Sequence, residues 1–406
     1  MFKKRISIFA CIVISLLLCT GVFVATYSGM QIKQKEEQNL SAENSIAEEN
    51  ENGYKKIEDI LSRIDKTYLK DYDRNMLWEY IYKALVLGLG DQHSCYMTKE
   101  EFDSLMSTES GSFVGIGVHA SYDVDEIGAY LSDIMADSPA EKAGLIAGDV
   151  IKAVNGREIT EENYIECIDD IKGVEGSEVT LDILRNGERF SKVLTRKYVK
   201  SQNIVCQKID SDTALVRILT FADTTVAEEF KSKVNKVLSE GCTKLIFDVR
   251  NNGGGFLNEI CDILDFLLPE GVLINIVDKD GNITQQTSGP GHIDADMYVL
   301  CNENTASAAE LFTKALMDFN YAKSIGKTTY GKGTMQTTVT LPDGSALKLS
   351  THYYNPPCNI SYDGVGIKPD FDVSLDEKWE TRFFKMPISE DAQLQKALSL
   401  IREGKN

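Results

Sequence analysis

From Gln202 onward apolar strands and amphipathic helices alternate, which restricts this part of the chain to an α/β arrangement of a sheet covered by helices. Ala214–Leu219 reads as a strand. Leu245–Val249 is mostly apolar, so it belongs in the middle of a sheet buried on both faces. Helical spacing then links Phe256, Ile260, Ile263, Leu264 and Leu267. Met297–Cys301 is a further strand, and Ala308, Leu311, Phe312, Ala315 and Leu316 form a second helical stripe. Thr334–Leu341 and Ser345–Tyr354 flank Pro342-Asp343-Gly344 and read as a hairpin. Glu390–Arg402 reads as one amphipathic helix.

Two other textures come first. From Tyr54 to about Leu105 the spacing is helical, with Ile57, Ile60, Leu61 and Ile64 on one face and Trp78, Ile81, Tyr82 and Leu85 on another. Gly88-Leu89-Gly90-Asp91 breaks it, and Thr98 with Glu101 forms a capping box that starts a new helix. Between about Ser112 and Lys200 short alternating strands appear, such as Val179–Leu184. Within that region Ser138 can cap a short helix, with Pro139 at its first position, Glu141 completing a capping box and Gly144 ending it. The strand Val150–Val154 runs into an Asn155-Gly156 turn. A helix is expected from near Glu161, with Tyr164, Ile165 and Ile168 on one face.

The N-terminus is not globular. Lys3, Lys4 and Arg5 precede an uncharged run from Ile6 to Tyr27, long enough for the roughly 20 residues that a bilayer-crossing helix needs. The basic flank favours a cytoplasmic N-terminus with the rest of the chain outside. A cleaved signal peptide is the competing reading, and Val24-Ala25-Thr26 is a poor version of its cleavage site. The acidic, polar stretch from Gln31 to about Asn52 reads as a solvated tether. The formal charge of −19 argues against general nucleic-acid binding, which needs a basic face. Seven of the nine cysteines lie beyond the apolar run, scattered and without a C-x-x-C pair, so neither a zinc site nor a disulfide framework is indicated.

Two residues carry the chemistry. Ser307 stands where the Met297–Cys301 strand gives way to a helix, a corner that lifts a side chain above a sheet and sets it near helix N–H groups. A serine hydroxyl becomes a nucleophile when a base takes its proton, and a lysine held neutral can be that base. Lys332, between Gly331 and Gly333, is the candidate. In a strand, even spacing would put Gln336 on the same face, where its amide can orient the amine without adding charge. Arg250-Asn251-Asn252-Gly253-Gly254-Gly255 lets backbone approach a ligand closely; it lacks a P-loop ending, and an oxyanion loop is the better use. The histidines His93, His119, His292 and His352 have neither metal spacing nor triad context and read as structural. No metal or cofactor is expected.

The segment around Gly115-Ile116-Gly117-Val118 and Ser138–Ile151 resembles a PDZ domain. That resemblance implies a groove in which Gly115, Ile116, Gly117 and Val118 meet a peptide C-terminus that adds as a strand. Taken together, six segments resemble the C-terminal processing peptidases, or tail-specific proteases, of the Ser/Lys type. They are Gly88–Tyr96, the PDZ segment, Leu245–Gly255, Asn302–Glu310, Gly326–Gln336 and Gly364–Asp370. The resemblance covers about Tyr54 to the C-terminus. It implies Ser307 as nucleophile, Lys332 as general base, Gln336 as the group orienting the lysine, and the N–H groups of Gly254 and Ala308 as the oxyanion hole. It also implies a PDZ domain that recruits substrate C-termini and gates the site and, in some members, a dimer built by the helical ends. Gly253 and Gln92 stand where proline is common, and Lys172 stands where an arginine couples the PDZ domain to the active state. Lysine keeps that charge but loses the planar fork.

The expected organisation is a mixed α/β protein. Residues 1–30 form a membrane anchor or signal segment, 31–52 a polar acidic linker and 53–108 a helical N-terminal segment. Residues 109–200 form a PDZ domain, 201–380 the Ser/Lys peptidase core and 381–406 a C-terminal helical tail. The expected function is a membrane-anchored, extracytoplasmic serine endopeptidase acting on protein substrates at or near accessible C-terminal tails, with a homodimer as a possible assembly. A catalytically silent PDZ peptide-binding module is the alternative.

Overall fold

The computed structural model describes residues 50–108, 112–200 and 202–404. The expected anchor or signal segment and nearly all of the linker lie outside the described residues. Among the described residues no helix is long and apolar enough to cross a membrane. The chain divides into two compact units, Met1–Trp78 and Glu79–Asn406. In the first, a helix over 50–67 has Leu61 buried and Ile57 and Ile64 half-buried, while Ile60 faces outward.

The second unit is built around a six-stranded sheet. Its strands run in the order Ile204–Lys208, Thr213–Ile218, Lys244–Asp248, Asp296–Cys301, Ala322–Gly326 and Phe371–Asp372. Only the first pair is antiparallel. Alternation along the central strand sorts its side chains between two layers. Leu245, Phe247 and Val249 face the helices Val226–Ser239, Leu257–Leu267 and Ala308–Asp318. Ile246 faces Leu394, Ala397 and Leu398 of the terminal helix Ala392–Arg402. Each such leucine contributes about 1.5–3 kcal/mol by leaving water.

That terminal helix is tied down by a buried ion cluster. Arg250 Nη2 lies 2.8 Å from Asp248 Oδ2 and 2.7 Å from Asp391 Oδ2, while Nη1 donates to Gln393 Oε1 at 2.9 Å. Asp391 also caps the helix by accepting the Leu394 N–H. The cluster joins the start of the tail to the strand end from which the glycine loop leaves.

The region before the sheet carries a five-strand path, Val118–Asp123, Gly128–Ile134, Val150–Val154, Glu178–Arg185 and Glu188–Thr195, so Val118–Asp123 is an edge strand. The helix beside it is Tyr164–Ile171, starting later than expected. Thr160 and Asn163 exchange side-chain bonds with each other's N–H groups across the turn that precedes the helix. Its inner face is Cys167 and Ile171 with Tyr164 and Ile168, while Ile165 is 69% exposed and leaves the expected stripe. A third sheet contains the expected hairpin, Thr334–Thr340 with Ala346–Asn355, together with Cys95–Met97, Gly271–Asp278 and Ile283–Ser288.

Candidate active site

Three neighbouring parallel strands, Lys244–Asp248, Asp296–Cys301 and Ala322–Gly326, end on the same side of the sheet. The loops after them carry the glycines, Ser307 and Lys332 respectively. Ligands bind at such carboxyl ends in open α/β sheets. Sheet adjacency thus closes the long sequence gap between the serine and the lysine. The first two loops are stitched together: the Ala306 N–H donates to the Asn252 carbonyl at 2.9 Å, and the Asn251 N–H donates to Asn302 Oδ1 at 2.9 Å.

Ser307 is the residue before the helix Ala308–Asp318, with φ 57° and ψ −123°. Positive φ is uncommon for a side-chain-bearing residue and marks a strained corner. Small neighbours permit it. The Gly254 backbone comes so close that an added Cβ would lie 2.7 Å from Ser307 Cβ and 2.9 Å from the Ala308 nitrogen.

A buried carboxylate, Glu310, holds the corner. Its Oε2 accepts the N–H of Ser307 and that of Lys332, each at 2.8 Å, and its Oε1 accepts the Gly331 N–H at 2.6 Å and the Thr329 hydroxyl at 2.5 Å. Burial pushes this carboxyl above its ordinary value, and the four donors pull against that rise. The helix that bears the serine and the loop that bears the lysine are therefore fastened to one side chain. Glu310 is not among the residues expected at the site, although Ser307-x-x-Glu310 is a capping-box pattern.

The Lys332 amine is driven below its ordinary value first by burial and then by the charge of Lys348, with Asp91 and Glu310 opposing. His93 lies within range of that amine: burial and the Lys332 charge push its imidazole downward. Ser307 and Lys332 line one cleft of about 600 Å³ with Gln336 and Tyr354. Among the described residues no hydrogen bond joins Ser307 Oγ to Lys332 Nζ. Tyr354 Oη instead lies 2.8 Å from Ser307 Oγ and 2.8 Å from the Lys332 carbonyl oxygen.

The expected shared strand face of Lys332 and Gln336 is not formed. The strand begins at Thr334, and its register shifts between Met335 and Gln336. The Gln336 amide donates to Ser350 Oγ at 3.0 Å and contacts Thr334. Of the two candidate oxyanion donors, the Ala308 N–H has no partner among the described residues, whereas the Gly254 N–H donates to Asn252 Oδ1 at 2.9 Å. Phe102, Leu105 and Met106, from the helix Lys99–Thr108, also line the cleft; nothing in their spacing foretold it.

In the strand-rich region, Gly115–Val118 leads into the edge strand, and Val118, Ala120 and Tyr122 pack half-buried beside Tyr164 and Ile168. Tyr122 and Tyr164 meet edge to face at 5.4 Å. Lys172 pairs with Asp169 of its own helix at 3.0 Å.

Residues 212–373 match peptidase family S41, and residues 103–184 match the PDZ domain. A CtpA-like serine protease of Staphylococcus aureus (strain COL) is 34% identical over 370 residues, which are 90% of this chain and 72% of that relative. The chain belongs to peptidase family S41. This S41 peptidase is also 32% identical over 320 residues to a CtpA-like serine protease of Staphylococcus saprophyticus, covering 78% of the chain and 64% of the relative. Two solved structures share its fold. The photosystem II D1 C-terminal processing protease gives a TM-score of 0.50 at 24% identity, over 82% of this chain and 92% of that one. An S41 protease of Bacteroides fragilis gives 0.55 at 18% identity, over 84% and 93%. With the family comes its activity: this S41 peptidase is a serine endopeptidase carrying a PDZ domain.

Proposed function

We propose that Ser307 is the nucleophile and Lys332 the general base of this peptidase. The observation that carries the reading is a half-buried lysine amine, lowered by burial and a neighbouring cation, in the same cleft as a serine at a strained strand-to-helix corner. Neutral Lys332 takes the Ser307 proton as Oγ attacks the scissile carbonyl carbon. The carbonyl π pair moves onto oxygen, where the Ala308 N–H meets the developing charge. Collapse expels the amine, which receives the proton from Lys332, and leaves an acyl-enzyme on Ser307. Water, deprotonated by the same lysine, releases the acid. Gly254 joins the oxyanion hole when its N–H leaves Asn252, and Gln336 orients the amine when its amide turns from Ser350.

The same reading assigns the groove beside Gly115, Ile116, Gly117 and Val118 to substrate tails. It is supported by an edge strand lined with half-buried apolar side chains, the arrangement that accepts a peptide as an added strand. Residues 109–200 act as the recruiting and gating PDZ domain and residues 201–380 as the catalytic core. The run Ile6–Tyr27 anchors the chain with its catalytic part outside the cytoplasmic membrane. Homodimerisation fits the same reading. The test is to incubate the full chain, Ser307→Ala, Lys332→Ala and Gln336→Ala with an unfolded protein bearing an apolar C-terminal tail, reading products by mass spectrometry. Loss of cleavage in the serine and lysine variants with tail binding intact is expected. Cleavage by Ser307→Ala would remove the assignment.

A further inference from the structure

We infer that Tyr354 is a positioning residue for the nucleophile, holding Ser307 Oγ in place by donating its hydroxyl proton to it. The inference rests on the reading of Ser307 as nucleophile. Tyr354 Oη donates to Ser307 Oγ and to the Lys332 carbonyl oxygen, each at 2.8 Å. A carbonyl oxygen only accepts, so the single phenol proton is shared between two acceptors. Ser307 Oγ is the acceptor in its contact with Tyr354, which leaves the serine's own proton for a base.

Tyr354 is held firmly enough for this task. It is 4% exposed, its N–H donates to the Gly333 carbonyl at 3.0 Å, and its ring meets that of Tyr362 edge to face at 6.2 Å. Burial drives its hydroxyl upward, so it stays a neutral phenol and does not compete with Lys332 as a base. For attack, the Ser307 O–H bond breaks, its proton joins the Lys332 Nζ lone pair, and the charge left on Oγ needs a donor. The phenol proton, shared until then with the Lys332 carbonyl, can turn fully onto Oγ without being released. Tyr354 thus selects one of three staggered serine positions and supplies a donor as the serine proton leaves.

The test compares the full-length wild type, Ser307→Ala and Tyr354→Phe. The readouts are the rate of labelling by a fluorophosphonate probe, kcat and KM on a quenched peptide, the pH profile and Tm. Tyr354→Phe keeps the ring and removes only the hydroxyl. We expect labelling and kcat to fall about tenfold, on the order of one lost hydrogen bond. KM should stay within about twofold and the pH limb should not move, while Tm falls modestly because the Lys332 carbonyl loses its donor. Wild-type labelling and kcat in Tyr354→Phe would overturn the inference. So would a loss carried mainly by a raised KM with kcat unchanged, which would make Tyr354 a residue of the binding cleft rather than one that positions the nucleophile. Labelling of Ser307→Ala as fast as wild type would instead overturn the reading of Ser307, and this inference with it.

Discussion

The backbone N–H groups of Ser307 and Lys332 converge on one atom, Glu310 Oε2, at 2.8 Å each. The spacing of the two candidate catalytic residues is therefore set by a carboxylate that need not touch a substrate. The other oxygen of Glu310 holds Gly331 and Thr329, so one fully buried side chain fixes the serine corner and the lysine loop together.

Glu310→Gln tests that coupling. The substitution is nearly isosteric, but one carboxylate oxygen becomes an amide NH₂. Whichever way the amide turns, it faces a pair of donors instead of accepting them. We expect a loss of about 3 kcal/mol in urea unfolding, from charged hydrogen bonds lost and donors left unpaired. We also expect kcat to fall on the order of 10²-fold as the geometry loosens. Wild-type kcat in this variant would show that the carboxylate does not set the spacing.

The alkaline requirement for activity should begin below the range of an ordinary lysine. Burial and Lys348 both disfavour the protonated form of Lys332, so its proton leaves at lower pH and kcat/KM rises through that lowered value. Removing the neighbouring positive charge in Lys348→Met favours protonated Lys332 and should move the limb to higher pH. Removing a negative charge in Asp91→Asn should move it to lower pH. Shifts in the same direction, or none, in pH profiles of the two variants would sink the electrostatic account.

Gly254→Ala should abolish cleavage while tail binding survives. Gly254 has φ +97°, and the new methyl would lie 2.7 Å from Ser307 Cβ and 2.8 Å from the Ala306 carbonyl oxygen. Either the glycine loop or the serine corner must move. Product analysis beside a peptide-binding assay checks this; substantial residual cleavage would mean that the corner tolerates displacement.

Acid stability should depend on the ion cluster beneath the site. Burial alone would raise the Asp248 carboxyl, but the charge and hydrogen bonds of Arg250 prevail and hold it at about 2, below its ordinary 3.8. A carboxyl lowered on folding stabilises the protein above its unfolded value, and that contribution is lost as pH falls from 3.8 through about 2. Arg250→Met leaves Asp248 and Asp391 buried without their main partner, at a cost of about 3–5 kcal/mol. Urea unfolding from pH 7 to pH 2 should show a weaker or inverted acid dependence in the variant. A dependence parallel to wild type would assign the acid loss to other groups.

Much of this was legible along the chain. The capping box of Thr98 and Glu101 forms as its pattern predicts, with bonds of 2.9 and 3.2 Å. The central placement of the Leu245 strand follows from its apolar run, and the hairpin ending at Tyr354 follows from its turn. The face shared by Lys332 and Gln336 was not legible. Period-two reasoning needs an unbroken strand, and here the strand starts after Lys332 and bulges before Gln336. Ile165 left its expected stripe because the buried face runs through Tyr164, Cys167, Ile168 and Ile171, and a residue one position after Tyr164 is turned about 100° around the helix.

The sequence by itself determined the strands and helices, the capped starts, the glycine loop and the serine and lysine contexts. Such features depend on residues within one or two turns of each other. Only the tertiary structure decided that Glu310 would fasten Ser307 to Lys332, that Tyr354 would stand against the serine, and that Asn252 would occupy the Gly254 N–H. The first two join separate loops and strands through the order and register of two sheets, and the third is a loop conformation set by that packing. Local periodicity carries neither sheet order nor the direction of a buried hydrogen bond.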